Sequence, residues 1–294
     1  MGAVIGNGLW RWEMRAPVVS ASSGSLLARQ EDFEVSATID MAPVLTAREG
    51  HDGEIFVVTL NRPRVLNAID GALLALFEEA LTTATGDHTV RCILIQSAGE
   101  RAFSAGADLK VVERLTPETA KEWVRTGHRV FNQIVLCPVP TVVAIRGFAL
   151  GGGLELALAC DFRIAGESAQ FGFPEATRGW LPGWGGTRRV CALAGPAVAR
   201  AMVLSGVWLQ ANDAWSLRIV NRVVPDAELG DAARDLARQL SPLERSVVRL
   251  AKQQICPPGL LIQRADVEED AEFLAAVVAK FQSPRITESE TRQG

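Results

Sequence analysis

The chain has 294 residues, of which 48% are hydrophobic, and a formal net charge of -4. This composition is sufficient to bury a globular core, and the net acidity argues against non-specific binding to nucleic acid or to an anionic membrane. No apolar run reaches the roughly 18 residues of a membrane span, because Arg146, Glu155 and Asp161 interrupt the most hydrophobic stretch, 141–164.

Residues 1–40 are rich in glycine and serine and show no clear period, so this segment is left unassigned and predicted to be a disordered N-terminal extension. It has neither the apolar centre of a secretory signal nor the acid-poor character of a transit peptide, which predicts a cytoplasmic protein. The five cysteines are odd in number, widely spaced and mostly set in apolar runs. They are therefore predicted to be buried free thiols in a reducing compartment.

From residue 53 onward, short β-branched runs alternate with longer helical stretches, which is typical of an α/β fold. Strands are predicted at 54–60, 91–96, 141–145 and 161–165. Helices are predicted between them at 70–83 and 117–134. After about Pro182 the strand signal fades, and helices are predicted at 185–193, 196–204, 226–239 and 263–280. We therefore expect a strand-rich core at 41–195 that carries the site, and a helical C-terminal region at 196–294.

The segment 144–161 contains three consecutive glycines, 151–153, followed by a helix that is apolar almost all the way round. Glu155 is the only charged residue of this helix, and ionised carboxylates are rarely buried without a partner. The residues alone leave two explanations open. Glu155 is either a catalytic group or a structural one, paired with Arg146 or Arg163 or placed near the positive end of the helix dipole.

The glycines themselves either allow close packing of strand on helix or expose the N–H groups of the helix start. Exposed N–H groups at that position favour an anion or an oxyanion. The spacing is not that of a dinucleotide-binding loop, and no Gly-Lys-Ser/Thr follows it. An oxyanion donor is therefore preferred over a phosphate cradle.

Two further segments have glycine-punctuated turns, 102–110 and 169–187. The first is ordinary loop material when taken alone. In the second, Pro174 precedes Glu175, which is a common way for a helix to begin. Taken alone, Glu175 is therefore more often structural than catalytic.

Together with Leu60-Asn61-Arg62-Pro63 and Asn67-Ala68 ahead of them, these segments closely resemble the crotonase (enoyl-CoA hydratase/isomerase) family. The resemblance lies in the order and character of four blocks. They are Leu-Asn-Arg-Pro…Asn-Ala, Ser-Ala-Gly-Ala-Asp-Leu-Lys, Gly-Phe-Ala-Leu-Gly-Gly-Gly-Leu-Glu-Leu-Ala and Pro-Glu…Leu-Pro-Gly-Trp-Gly-Gly-Thr. The likeness runs from about Met41 to the C-terminal helices.

This resemblance implies a spiral of ββα turns with a helical C-terminal part that drives formation of homotrimers or homohexamers. It implies that the N–H groups of Ala107 and Gly152 form an oxyanion hole for a thioester oxygen. Glu155 and Glu175 would be the acid–base pair, with the N–H of Gly183 helping to hold a water. The substrate-binding residues would be Asn67, Ala68, Ala105, Asp108, Leu109 and Trp184, the first five contacting the coenzyme A arm.

The function implied is an enoyl-CoA hydratase, whose coenzyme A belongs to the substrate and which needs no metal or other cofactor. One alternative is another reaction on this fold, namely double-bond isomerisation with Glu175 alone, thioester hydrolysis or decarboxylation. The other is an RNA-binding role, which the acidity of the chain disfavours. The sequence departs from the family at Trp184, where a small residue is common, and it has a tryptophan nearby at Trp180. These tryptophans either narrow the acyl pocket or give it an aromatic wall, or they pack in the core, and core packing is slightly favoured for Trp180. The second departure is the segment 281–294, which lacks the family's usual ending and puts the adenine contacts made there in doubt. The third is the segment 1–40, which has no counterpart in the family.

Overall fold

The computed structural model describes residues 42–282, so the predictions made for 1–40 and for the end of the chain lie outside the described residues. The described part forms ten strands and ten α-helices. The strands are β1 (Val44–Glu49), β2 (Ile55–Leu60), β3 (Cys92–Ser97), β4 (Ala102–Ser104), β5 (Thr141–Ile145), β6 (Phe148–Leu150), β7 (Phe162–Gly166), β8 (Gln170–Gly172), β9 (Leu209–Gln210) and β10 (Arg222–Val224). The helices are α1 (Gly71–Gly86), α2 (Leu109–Val112), α3 (Pro117–Val135), α4 (Gly152–Ala159), α5 (Gly186–Ala194), α6 (Pro196–Leu204), α7 (Ala211–Ser216), α8 (Leu229–Leu240), α9 (Arg245–Ile255) and α10 (Arg264–Gln282).

The strands belong to two sheets, between which the chain alternates. The larger sheet has the order β1-β2-β3-β5-β7-β10 and is parallel except for the β1–β2 pair. The smaller sheet has the order β4-β6-β8-β9, with β4, β6 and β8 parallel. Each of β3, β5 and β7 is followed at once by a strand of the smaller sheet, which produces the spiral of ββα turns that the resemblance implied.

The four predicted strands and the predicted helices are all present, with ends that differ by a few residues. The strand signal after Pro182 was underestimated, because β9 and β10 extend the two sheets from within the region expected to be helical. These strands have only two and three residues, too few for a period to be visible. Helices α2, α7 and α9 were also missed.

The core explains why the central strands are continuously apolar. On β3, Ile93 and Ile95 face the main core, whereas Cys92 and Leu94 face a second layer that includes Leu229 of α8. Successive side chains of a strand point to opposite faces, so a sheet covered on both sides needs apolar residues at every position. All five cysteines are free, with Cys92, Cys137 and Cys160 buried and Cys191 and Cys256 half-buried.

Helix α10 packs along α3, and ion pairs flank the contact. Lys121 Nζ lies 2.5 Å from Oε1 of Glu272, and Arg125 Nη2 lies 2.6 Å from Oε2 of Glu268. Among residues 42–282, none of the helices combines the length and the apolar character needed to cross a membrane.

Candidate active site

Three short parallel strands bring the conspicuous sequence segments to one place. Strand β4 leads into residues 105–107, β6 leads into the glycines before Glu155, and β8 leads into Glu175. Because β4, β6 and β8 are parallel neighbours, their carboxyl ends meet at the same edge of the smaller sheet. All three segments line one cavity at that edge.

Glu155 lies in the first turn of α4, and every residue of this helix is buried, as predicted. Its side chain is only 2% exposed. Oε1 accepts hydrogen bonds from the main-chain N–H groups of Trp184, at 2.8 Å, and Gly186, at 2.7 Å. The carboxyl group is thus held in one orientation by the turn that precedes α5.

The arginines considered as structural partners of Glu155 are engaged elsewhere. Arg146 donates to the main-chain oxygen of Asp226. Arg163 donates to the main-chain oxygens of Ile219 and Cys160. The salt-bridge explanation of Glu155 is therefore wrong for both candidates.

Glu175 immediately precedes a single 3-10 turn, Ala176–Arg178, but its side chain makes no capping hydrogen bond. Its Oε2 is buried and has no hydrogen-bond partner among the described residues. A Cβ atom on Gly151, whose φ is +48°, would lie 2.3 Å from its Oε1, so a larger residue there would displace this carboxyl group. The helix-start explanation does not account for the side chain, which faces the cavity that Glu155 also lines.

Both carboxyl groups hold their protons more tightly than usual. Burial raises the pKa of Glu155 to about 7, against the opposing effect of the two N–H groups that it accepts from. Burial, and then the negative charge of Glu155, raise the pKa of Glu175 to about 8. Near neutral pH the pair therefore holds a proton that can be given and has a carboxylate that can accept one.

The amide nitrogens of Ala107 and Gly152 lie close together at the wall of this cavity. A Cβ atom on Gly152 would lie 3.4 Å from the nitrogen of Ala107, and one on Gly106 would lie 3.0 Å from the nitrogen of Gly152. Gly106, with φ of +92°, also passes so close to the carbonyl of Leu150 that a Cβ atom there would lie 2.7 Å from it. Two N–H groups in this position, one of them at the first residue of α4, can donate to an oxygen on which negative charge develops.

The residues predicted to hold the coenzyme A arm fall into two groups. Ala105 and Leu109 line the cavity. Asn67, Ala68 and Asp108 surround Arg62, which donates through its main chain to Asn67 Oδ1 and through its side chain to Ala68 O and Asp108 Oδ2. Asn67 is 1% exposed, and its side-chain amide also donates to Ala98 O and Ala102 O, so the side chain is fully engaged within the protein. The predicted roles of all five stay predictions.

The two tryptophans differ from each other in a way that the sequence did not reveal. Trp184 is 2% exposed, and its ring packs against Trp123 and Phe131, at 5.0 and 5.4 Å between ring centroids. Trp180, for which core packing was slightly favoured, is half-buried in the cavity wall instead. Gly183, expected to help hold a water, lies between them in the same wall.

Several residues of the site escaped the sequence analysis. Val112 and Trp123 reach the cavity from α2 and α3, and Leu274 reaches it from α10. Arg189 is fully buried behind Glu155 and donates to the carbonyl of Trp184. No local pattern distinguishes these residues from ordinary helix positions.

Paired N–H donors beside two carboxyl groups of raised pKa, at the ends of alternating ββα strands, define an acid–base enzyme of the crotonase fold. The family model for enoyl-CoA hydratase/isomerase matches residues 50–284. The chain therefore belongs to the enoyl-CoA hydratase/isomerase family.

Relatives and solved structures agree with this assignment. The short-chain-enoyl-CoA hydratase of Clostridium acetobutylicum is 35% identical over 204 residues, which cover 69% of this chain and 78% of that protein. The crotonyl-CoA hydratase of Syntrophomonas wolfei is 36% identical over 199 residues, 68% of this chain and 76% of that protein. The crystal structure of an enoyl-CoA hydratase from Bacillus anthracis superposes with a TM-score of 0.70 and 32% identity, covering 81% of this chain and 91% of that one.

Proposed function

We propose that this enzyme is an enoyl-CoA hydratase, which adds water across the trans-2 double bond of an acyl-CoA thioester. The observation that carries the proposal is the pairing of Glu155 and Glu175, both with raised pKa values, in one cavity beside two N–H donors. Similarity to hydratases of Clostridium and Syntrophomonas supports the same reaction.

In the proposed mechanism the thioester oxygen accepts hydrogen bonds from the N–H groups of Ala107 and Gly152. These bonds strengthen as negative charge moves onto that oxygen in the enolate, and losing one such donor costs roughly 3 kcal/mol in other enzymes. The coenzyme A arm enters past Ala105 and Leu109, as part of the substrate. No resident cofactor is needed for this chemistry.

The two carboxyl groups divide the proton transfers. Glu155 takes a proton from the water whose oxygen adds to the β-carbon, and Glu175 gives its proton to the α-carbon. Oε1 of Glu155 already accepts from Trp184 and Gly186, which leaves Oε2 to receive the proton of the water. The N–H of Gly183 completes the water site.

A second candidate is isomerisation of a 3-enoyl thioester with Glu175 alone as the proton carrier. The observation in its favour is that both hydrogen bonds of Glu155 tie it to the main chain, which gives this side chain a structural role as well. Isomerisation needs no water and no second carboxyl group. The raised pKa of Glu155 favours hydration, because it lets this carboxyl group exchange a proton near neutral pH.

The test compares two substrates with the same purified enzyme. Loss of the conjugated double bond of crotonyl-CoA reports hydration, and its formation from a 3-enoyl-CoA reports isomerisation. We expect rapid hydration of crotonyl-CoA. Brisk isomerisation with no hydration would overturn the proposal in favour of the second candidate.

We further propose that the enzyme is a homotrimer or homohexamer. Several large apolar side chains of and around α9 are exposed in the single chain, which is typical of surfaces buried by self-association. They are Leu136, Leu243, Val247, Leu250 and Ile255. Light scattering of the purified protein tests this, and a monomer at micromolar concentration would contradict it.

A further inference from the structure

Gly127 lies in the middle of α3, where glycine costs about 1 kcal/mol relative to alanine. Its backbone is not among those with positive φ, so its conformation does not require glycine. A Cβ atom at this position would lie 2.1 Å from Nε1 and 2.2 Å from Cδ1 of Trp184. The missing side chain makes room for the indole of Trp184.

The indole of Trp184 is held by one hydrogen bond and by two aromatic contacts. Its Nε1 donates a 3.2 Å hydrogen bond to the main-chain oxygen of Trp123. Phe131 meets the ring nearly edge to face, with an interplanar angle of 85°. A ring that is hydrogen-bonded, packed and 2% exposed does not swing aside to admit a longer ligand.

The opposite edge of the same ring reaches the reaction centre. A Cβ atom on Gly152 would lie 2.5 Å from Cζ3 of Trp184. The ring therefore spans the distance between Gly127 on α3 and the residue whose N–H is proposed to hold the thioester oxygen. Trp184 is therefore part of the cavity wall beside Gly152.

The cavity as a whole is small, and apart from Glu155, Glu175 and Arg178 the residues that line it are apolar. Beyond Glu155 and Glu175, its walls include Val112, Val124 and Leu274, together with Trp184. Its volume is about 60 Å³, whereas pockets for drug-sized ligands measure roughly 300–1,000 Å³. An acyl group whose carbonyl is held at Ala107 and Gly152 would extend into this space.

We propose that Trp184, seated on Gly127, is the end wall of the acyl pocket and restricts the enzyme to short acyl groups of crotonyl size. This inference rests on the proposed function, because it assumes that the cavity receives the acyl part of a coenzyme A thioester. Gly127 acts as a positioning residue, and Trp184 sets the specificity.

The test uses the variants W184A, W184F, G127A and G127A/W184A. In W184A the main chain of residue 184 can still donate a hydrogen bond to Glu155 and accept one from Arg189. We measure kcat/KM for crotonyl-CoA and trans-2-decenoyl-CoA. The wild type should prefer crotonyl-CoA, and W184A should move the ratio toward decenoyl-CoA by about tenfold or more, with W184F in between.

The glycine gives a matched second arm. G127A should lower the thermal midpoint and the crotonyl-CoA activity, because the new Cβ atom displaces the indole. The double variant should be no less stable than W184A, because without the indole the Cβ atom of residue 127 has nothing to clash with. G86A is the control, since nothing lies within 4 Å of a Cβ atom there. If the alanine at position 127 lowered the thermal midpoint as much in W184A as it does in the wild type, the two residues would not be coupled.

Binding separates failure of this inference from failure of the proposed function. The acyl chains of butyryl-CoA and decanoyl-CoA have no carbon–carbon double bond, so calorimetric titration measures binding to the pocket without the reaction. Tighter binding of butyryl-CoA, reversed in W184A, would support the end wall even if the wild type hydrated neither substrate. The end-wall proposal would be overturned if the wild type bound butyryl-CoA and decanoyl-CoA equally well, or if W184A kept the wild-type preference.

Discussion

Nη1 of Arg189 donates a 2.5 Å hydrogen bond to the main-chain carbonyl of Trp184, the residue whose N–H binds the carboxyl group of Glu155. Arg189 also donates to Leu260 O and to Asn132 Oδ1, so these three hydrogen bonds all go to uncharged oxygens. Burial lowers its pKa to about 10, which leaves it charged at neutral pH. A buried cation thus both fixes the turn that orients Glu155 and stabilises its ionised form.

Replacing Arg189 should therefore change the pH profile as well as stability. Other charged groups act on Glu155, namely Glu175 across the cavity and Asp270 of α10, and the negative charge of Asp270 opposes ionisation. In R189M the pKa of Glu155 rises further, so the acidic limb of kcat/KM should move to higher pH. The free energy of unfolding should fall by at least about 3 kcal/mol, because three acceptors lose a charged donor.

R189K provides the matched control, because it keeps the charge and loses the fork of donors. It should restore the acidic limb toward the wild-type position while remaining destabilised. An R189M profile that coincides with the wild-type profile in a variant shown to be folded would contradict the electrostatic role.

The variants E155Q and E175Q should each lower kcat by about a hundredfold or more, the usual contribution of a general acid or base. In E155Q the new amide oxygen can still accept from the N–H groups of Trp184 and Gly186, so the fold should be retained. Steady-state hydration of crotonyl-CoA gives kcat, and titration with butyryl-CoA shows whether thioesters still bind. Near-normal hydration by either variant would remove that residue from its proposed role.

G106A should separate the two N–H donors. Its φ of +92° is strained for alanine, and the new Cβ atom would lie 2.7 Å from the carbonyl of Leu150. We expect kcat/KM to fall by roughly a hundredfold, the effect of losing one oxyanion donor. G71A is the control, because nothing lies within 4 Å of a Cβ atom there and its activity should not change. If G106A and G71A were equally active, the close approach of Gly106 to Gly152 would not be needed for catalysis.

His128 should make stability depend on pH. It is 1% exposed on α3, its Nε2 lies 3.1 Å from Oδ2 of Asp270, and its Nδ1 is buried with no partner in the described residues. Burial lowers its pKa below the ordinary value of 6.5, despite the opposing effect of Asp270. The unfolded chain then binds a proton more readily, so this contribution to stability is present above pH 6.5 and is lost as the pH falls below it.

Chemical denaturation at several pH values measures this contribution. H128Q keeps a donor for Asp270 and removes the titration, so its unfolding free energy should vary less with pH between roughly 7 and 5. The difference in slope is bounded by about 1.4 kcal/mol per pH unit for one proton. Parallel pH curves for the two proteins would show that the pKa of His128 is the same in the folded and the unfolded chain.

The sequence located the central strands and the long helices because each carries enough residues to display a period. It also distinguished Glu155, since a charge in a wholly apolar helix is unusual whatever the fold. Glu175 depended on resemblance alone, and the structure supplied the physical evidence, namely a buried oxygen without a partner among the described residues instead of a helix cap.

The smaller sheet and the back of the site were decided only by the tertiary structure. Strands β4, β6 and β8 have three residues each, too short for a pattern, yet their parallel pairing brings Ala107, Gly152 and Glu175 together. Arg189 and Gly127 look ordinary in the sequence, because their partners are far away along the chain. The sequence by itself determined which chemical groups are present and to which family the chain belongs. Long-range packing decided how large the acyl pocket is and what fixes the carboxyl group of Glu155, because contacts between distant segments leave no local period.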